Sequence, residues 1–280
     1  MKIKSALTSL FFYATLAGTG TAAAADPVKE LRLGSVAMDI PAVMHRRLTP
    51  LTQYLTDTLG IPVSLKLSPD MKGAIGEIAS GGVDITYLTP VAYIKAHNKG
   101  GAKLVAKILT DNEATFQLMI VVRQDSPIKT VADLAGKRFA LGDKGALLQR
   151  AAVVGAGMPL ERLGSYDFIG HYDNIARGVM NGDFDAGIVK DTTAKKFDGK
   201  GLRVLYASPD LPPYNVAAAK GIDDAMLEKI KKAFLALDAK NPAHQPIIKA
   251  LDPAYTGFAA TNDSDYEVVR KLIAPFEGKE

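Results

Sequence analysis

The chain runs to 280 residues, with 48% hydrophobic and 23% charged residues, no cysteine, no tryptophan and a formal net charge of +4. Without cysteine there is no disulfide, thiolate nucleophile, cysteine metal site or lipid attachment point. The basic residues are spread along the chain without a block or an interleaved aromatic platform, which argues against a nucleic-acid partner.

Residues 1–25 read as a secretory leader, with Lys2 and Lys4 at its start, an apolar stretch over 6–17 and small residues over 22–25 suited to cleavage. A retained membrane anchor is the competing reading, but Thr8, Ser9, Thr15, Gly18 and Thr19 interrupt the apolar run. No later stretch approaches the ~18 consecutive apolar residues of a spanning helix. Removal of the two lysines leaves a charge of +2 on about 255 residues, enough for one large domain or two smaller ones. A soluble protein of a bacterial periplasm is expected.

In chain order, 31–37 reads as a strand and 46–59 as a helix, with Leu48, Leu51, Leu55 and Leu59 at helical spacing and Gly60 to close it. A strand at 63–67, a helix at 71–80, a strand at 83–89, a helix at 90–97 and a strand at 104–109 follow. The apolar run 116–122 is a strand bounded by Gln124, Asp125, Ser126 and Pro127. Thr130 and Asp133 fit a capping box for a short helix stopped at Gly136. Residues 138–141 form a strand, 142–145 a glycine-flanked turn and 146–155 a helix. Strands at 166–169, 184–189 and 202–207 alternate with helices at 173–180 and 192–197. Pro209, Pro212 and Pro213 then interrupt regular structure, 214–219 is an extended return segment, and the C-terminal part is helical, with helices over 226–237 and 266–273.

Alternation of this kind predicts an α/β fold with mainly parallel sheets flanked by helices, and ligands beyond the carboxyl ends of the strands. Two alternating blocks joined twice suggest two lobes, one at 26–115 plus 215–280 and the other at 116–214. One candidate rim is then 35–39 with 87–93. The strand, turn and helix start around Gly142, Asp143, Lys144, Gly145 and Ala146 would aim backbone N–H groups at a ligand.

The segments LRLGSVA, GGVDITYLTPVAYIKA, FQLMIVVRQDSPIKTVADLAGKRFALGD, GHYDNIARGVMNGDFDAGIVKD and LPPYNVAAAKGIDDAMLEKIKKAFLAL span the mature sequence. Together they resemble the phosphate/phosphite/phosphonate-binding family of periplasmic substrate-binding proteins of ABC transporters. The resemblance implies a type II binding protein, in which two α/β lobes on a two-strand hinge close on a small ligand and then dock on a membrane permease. It places Tyr87, Thr89 and Tyr93 on the first lobe's rim, His171 and Asp173 at a ligand-side turn, and Asp191 where acidic members contact an amino group. Where phosphonate binders carry a hydroxyl-rich turn, this chain has Asp143 and Lys144, so both signs of charge line the cleft. That pattern favours a zwitterion or a hydrogen-bonding ligand over a simple dianion.

Asp143 has two roles open to it, capping the following helix or touching ligand; Lys144 either points inward or is solvated. Asp191 can cap its own helix or face the cleft. Tyr87, Tyr93 and Tyr214 are core or hinge aromatics, or line the pocket. Asp183 and Asp185 offer too few oxygens for a calcium loop. The histidines His45, His97, His171 and His244 lack metal-motif spacing, and neither GxSxG nor a P-loop occurs. Binding without turnover, no cofactor and, by default, a monomer are expected. The rival expectation is a periplasmic sensor that presents its closed state to a membrane signalling receptor, with a ligand that is not a phosphorus oxyanion.

Overall fold

The computed structural model describes residues 29–36 and 40–278. The expected leader and the rim positions 37–39 lie outside the described residues. The first block comprises β1 (Leu31–Val36), α1 (Pro41–Leu59), β2 (Val63–Ser68), α2 (Met71–Ser80), β3 (Ile85–Leu88), α3 (Pro90–Gly100) and β4 (Lys103–Thr110). The second comprises β5 (Leu118–Arg123), β6 (Arg138–Leu141), α4 (Leu147–Gly155), β7 (Ser165–Phe168), α5 (Tyr172–Asn181), β8 (Ala186–Lys190), α6 (Asp191–Phe197) and β9 (Leu202–Ala207). The chain finishes with β10 (Asn215–Ala218), α7 (Asp224–Leu235), α8 (Gln245–Ile248), β11 (Tyr255–Ala259) and α9 (Glu267–Ile273). The expected capping box is present, with Asp133 accepting from the Thr130 N–H ahead of a 3₁₀ turn at Val131–Leu134.

Two mixed sheets result, ordered β11-β4-β10-β3-β1-β2 and β7-β6-β8-β5-β9. β1 pairs in parallel with β2 and β3, and β6 with β7 and β8. The reversed strands β10 and β5 are the ones that enter each sheet directly from a crossing, and each is antiparallel to both neighbours. The two crossings themselves pair, through Phe116 N–H to the Leu211 carbonyl at 3.0 Å and Leu211 N–H to the Phe116 carbonyl at 2.8 Å. A two-stranded hinge therefore joins the lobes. β11 was not expected from sequence; it adds a sixth strand antiparallel to β4, with Gly257 taking φ 154° at the irregular register.

The helices follow the burial pattern of amphipathic segments. α1 buries Met44, Leu48, Leu51 and Leu55 against the first sheet, each worth about 1.5–3 kcal/mol. It begins at Pro41, five residues earlier than its leucine spacing suggests, because Pro41 presets the first turn. α9 leaves the first lobe and packs on α4 of the second, where Leu272 lies over Gly155. The carboxyl ends of β3, β6, β7 and β8 lead directly into α3, α4, α5 and α6, so these helices begin at the cleft.

Candidate functional site

Local sequence decides how each helix begins. Thr89 caps α3, its Oγ1 accepting from Ala92 N–H at 3.1 Å, and Pro90 follows with no N–H to satisfy. α4 starts differently. Its cap position is Ala146, and no side chain accepts from its first turn. Asp143 does not cap this helix; only its backbone carbonyl is used, by Ala146 N–H at 2.9 Å. The turn is held from below by Gln149, a buried side chain whose Oε1 accepts from Gly142 N–H at 2.7 Å. Gly142 is needed for this approach, since a Cβ there would stand 2.6 Å from Gln149 Nε2.

The starts of α3 and α4 face each other across a cavity of about 140 Å³, with Thr89, Pro90 and Val91 on one side and Gly145, Ala146, Leu147 and Leu148 on the other. Phe116, Tyr172 and Tyr214 form its side wall and continue into a second cavity of about 320 Å³. There the wall is completed by Tyr87, Tyr255, Lys190 and Asp252. Beyond it an open cleft of about 880 Å³ runs between His171, Asp173 and Arg177 on the second lobe and Asp252 and Ala254 on the first. A further dent of about 110 Å³ beside Arg138 and Asp185 lies away from the cleft and is braced by that ion pair.

The tyrosines are ordered by contact. Tyr87 and Tyr214 stack at 5.0 Å with 20° between their planes, and the Tyr87 hydroxyl meets that of Tyr255. Burial raises the Tyr87 and Tyr214 phenols, and the carboxylates of Asp143 and Asp252 raise Tyr214 further. Burial also pushes Tyr172 up to about 12, against the pull of the facing Gln149 amide. These phenols therefore stay neutral at physiological pH and act as hydrogen-bond donors or as ring surfaces. Lys190 Nζ stands 5.3 Å from the centre of the Phe116 ring, a cation–π contact inside the cavity.

Of the residues expected from sequence, Tyr87, Thr89, Gly145, Ala146 and Tyr214 meet at these two cavities. His171 lines only the open cleft, and Lys144 is exposed and lines none of the cavities described above. Asp143 is exposed at the turn, close enough to Tyr172 and Tyr214 to affect both. Tyr93 is a correction. It is 1% exposed, packs on Tyr266, and gives its hydroxyl to Asp263 at 2.7 Å, so it serves the core between α3 and the C-terminal segment. Asp191 is also diverted. Its carboxylate accepts from Gln117 N–H at 3.2 Å and Thr192 N–H at 2.7 Å, which pins the first crossing to α6.

Sequence reasoning missed Phe116, Gln149, Tyr172, Lys190 and Asp252. Lys190 ends a strand as Tyr87 nearly does, and Tyr172 opens a helix beside His171; both had a positional signal. Asp252 had none, because its loop reaches the cleft through long-range contacts, the seating of β11 on β4 and the bonds from Arg47 to the carbonyls of Ala250 and Leu251. Among the described residues no group of three or more histidine or carboxylate side chains is placed to hold a metal, and no helix is long and apolar enough to cross a membrane.

A family model described as the periplasmic substrate-binding protein of phosphonate ABC transporters matches residues 33–266. The phosphonates-binding periplasmic protein of Escherichia coli (strain K12) is 24% identical over 285 residues, covering 95% of this chain and 82% of that one. In fold, the chain is similar to XAC2383 from Xanthomonas citri, solved bound to ATP, with TM-score 0.71, 21% identity, and 88% and 96% of the two chains covered. It is also similar to PhnD1 from Prochlorococcus marinus (MIT 9301), solved with methylphosphonate, with TM-score 0.67, 17% identity, and 89% and 98% covered.

Proposed function

The chain belongs to the family of periplasmic substrate-binding proteins of phosphonate ABC transporters, and on that premise we propose that it captures a small phosphonate with its oxyanion between the first turns of α3 and α4. The observation that carries this reading is the facing pair of helix starts around the 140 Å³ cavity, one of them without a side-chain cap. In the first turn of α4 the N–H groups of Ala146, Leu147 and Gln149 bond within the turn, and that of Leu148 has no acceptor among the described residues, as Val91 N–H has none at α3. These two donors and the positive ends of the two helix dipoles make an anion site. The Thr89 hydroxyl, whose oxygen already accepts from Ala92, keeps its own proton for the ligand. Lys190, which lines the larger cavity beside Phe116 and not the anion pocket itself, supplies a nearby full positive charge. The larger cavity takes the organic substituent, and Asp252 in its wall accommodates a positive group on it, with the charge of Asp143 felt at Tyr214.

In this reading the open protein binds ligand, the lobes close about the crossings at 111–117 and 208–214, and the closed form docks on its permease. Release follows docking, without turnover, and the protein acts as a monomer after loss of its leader. Lobe boundaries near 115/116 and 213/214 fit the sheet membership of the strands. The signalling alternative has no observation in its favour.

Calorimetric titration of the purified mature protein tests the ligand class. The probes are methylphosphonate, 2-aminoethylphosphonate, phosphate and ethanesulfonate. One-to-one binding of a phosphonate, at least ~10-fold tighter than ethanesulfonate, is expected. Binding of the sulfonate alone would transfer the site to another oxyanion.

A further inference from the structure

The wall that the two cavities share is aromatic, and it changes character along its length. Tyr214 is covered on one face by Tyr87, while the residue remains 39% exposed and lines both cavities. That leaves an open ring face directed at the space a substituent would fill. Tyr172, Tyr255 and Phe116 contribute further ring surface to the same 320 Å³. Ring faces carry the negative part of an aromatic quadrupole and attract cations, and Lys190 over Phe116 is an instance already formed here.

The charges near Tyr214 point the same way. Asp143 comes from the turn after β6, and Asp252 from the loop before β11, so the carboxylates belong to opposite lobes. The Asp143 carboxylate has no hydrogen bond or ion pair among the described residues. The Asp252 carboxylate accepts from the Ala254 N–H at 2.8 Å and has no counter-ion there. Asp252 lines the larger cavity and the open cleft but not the anion pocket, so it marks the far end of a bound molecule. Arg47, which lies behind this loop, is committed to the carbonyls of Ala250 and Leu251 at 3.0 and 2.8 Å.

The number of acceptors selects among cations. A primary ammonium brings three N–H donors, each costly to bury without a partner. Asp252 is the single carboxylate lining this cavity; Lys190 lines it too, with its ammonium over the Phe116 ring. The other polar side chains are Thr110 and the tyrosine hydroxyls, set among rings and aliphatic surface such as Ile108, Pro213 and Leu251. An N-alkylated ammonium spreads its charge over methyl groups, needs no acceptor and packs on ring faces.

We propose that the larger cavity is a subsite for an N-alkylated ammonium group, and that the ligand is a small zwitterion with a phosphorus oxyanion at its other end. The proposal rests on the anion pocket assigned above and names the substituent that pocket's ligand carries. The test is calorimetric titration of the mature protein with 2-(trimethylammonio)ethylphosphonate, its neutral isostere 3,3-dimethylbutylphosphonate, 2-aminoethylphosphonate and phosphocholine. The trimethylammonio compound is expected to bind about 10-fold or more tighter than both the isostere and the primary amine, within the range of a desolvated cation–π contact. Its advantage over the isostere should shrink towards unity in Asp252→Asn, a near-isosteric change on a half-exposed loop, and in Tyr214→Leu. Phosphocholine carries the same cation on a phosphate ester and separates the two sources of head group; tight binding of either zwitterion supports the subsite. Equal or tighter binding of the neutral isostere overturns the cation subsite while leaving the anion pocket standing. Tightest binding of the primary amine overturns the preference for alkylation. Failure of every phosphorus compound to bind overturns the anion pocket, and this inference with it.

Discussion

Ala146→Asp separates a ligand site from a merely structural helix start, because it moves stability and affinity in different directions. Ala146 occupies the cap position of α4, where no side chain accepts from the first turn, and it lines the anion pocket. A carboxylate placed there has two effects. It gives the unpartnered Leu148 N–H an intramolecular acceptor, which is worth about 0.5–2 kcal/mol at a well-formed cap. The backbone at Ala146 has ψ 70°, far from the 158–176° of the capped starts at Asp70, Thr89 and Asp223, so re-setting it consumes part of that gain. A net gain of about 0.5 kcal/mol remains, a rise in Tm of about 1–2 °C for a protein of this size. The same carboxylate occupies the donors the ligand needs and brings like charge within about 4 Å of it. At an effective dielectric constant of about 20 that repulsion is on the order of 4 kcal/mol, and after screening at least 1.4 kcal/mol, or tenfold in Kd, survives. The assay is differential scanning fluorimetry of the free protein, paired with calorimetric titration of the phosphonate bound best by the wild type. An unchanged Kd, with the variant folded, would show that the α4 start does not bind the oxyanion; a Tm that falls by several degrees would show that α4 depends on Ala146 for packing.

Gln149→Leu leaves the buried Gly142 N–H without its acceptor, a loss of about 1–3 kcal/mol, so Tm should drop by several degrees and phosphonate affinity should weaken as the turn loosens; an unaltered melting curve would contradict this. Tyr93→Phe deletes the bond to Asp263 and should cost about 1.5–3 kcal/mol while leaving Kd within twofold of wild type, because that hydroxyl lies in the core and not at the cleft; a large rise in Kd would return Tyr93 to the pocket. Acid should destabilise the fold in a defined window. Burial opposes ionisation of Asp265, but hydrogen bonds from Lys107 and Thr261 hold its carboxyl below 3.8, and a hydrogen bond from Arg138 lowers Asp185 in the same way. A carboxyl depressed in the folded state contributes stability above its unfolded value, and that stability is lost as pH falls through the folded one. Tm measured from about pH 6 to about pH 2.5 should therefore decline mainly below about pH 4, and Asp265→Asn should flatten the decline; an identical profile for the variant would remove Asp265 from the account.

Much of the fold was legible because hydrophobic periodicity reports burial, and burial is what the lobes are built on. The leucine spacing of α1, the capping box at Thr130 and Asp133 and the three-proline break before β10 each survive as structural features. Strand direction was less legible. β5 and β10 look like any other buried run, and their reversal follows from the crossings they emerge from. β11 is five residues around a glycine, too short and irregular to show a period.

The site divides along the same line. Positions fixed by a strand end or helix start, such as Tyr87, Thr89, Gly145 and Ala146, could be read locally. Tyr93 sits one turn into α3, with Ala92, Ile94 and Ala96 buried around it, and a helix position of that kind faces core as readily as cleft. Asp191 looked available because nothing in sequence shows that Gln117, seventy-four residues away, donates to it. Asp252 is placed by long-range contacts, the register of β11 on β4 and the Arg47 bonds to its loop.

A crystal structure of the mature protein with the phosphonate bound most tightly in titration would show which helix start holds the oxyanion. Phosphonate oxygens are expected at about 2.7–3.1 Å from the Leu148 N–H in the first turn of α4 and from the Thr89 hydroxyl, with the substituent against the open face of Tyr214. An oxyanion seated elsewhere in the cleft, with the α4 start empty, would contradict this placement.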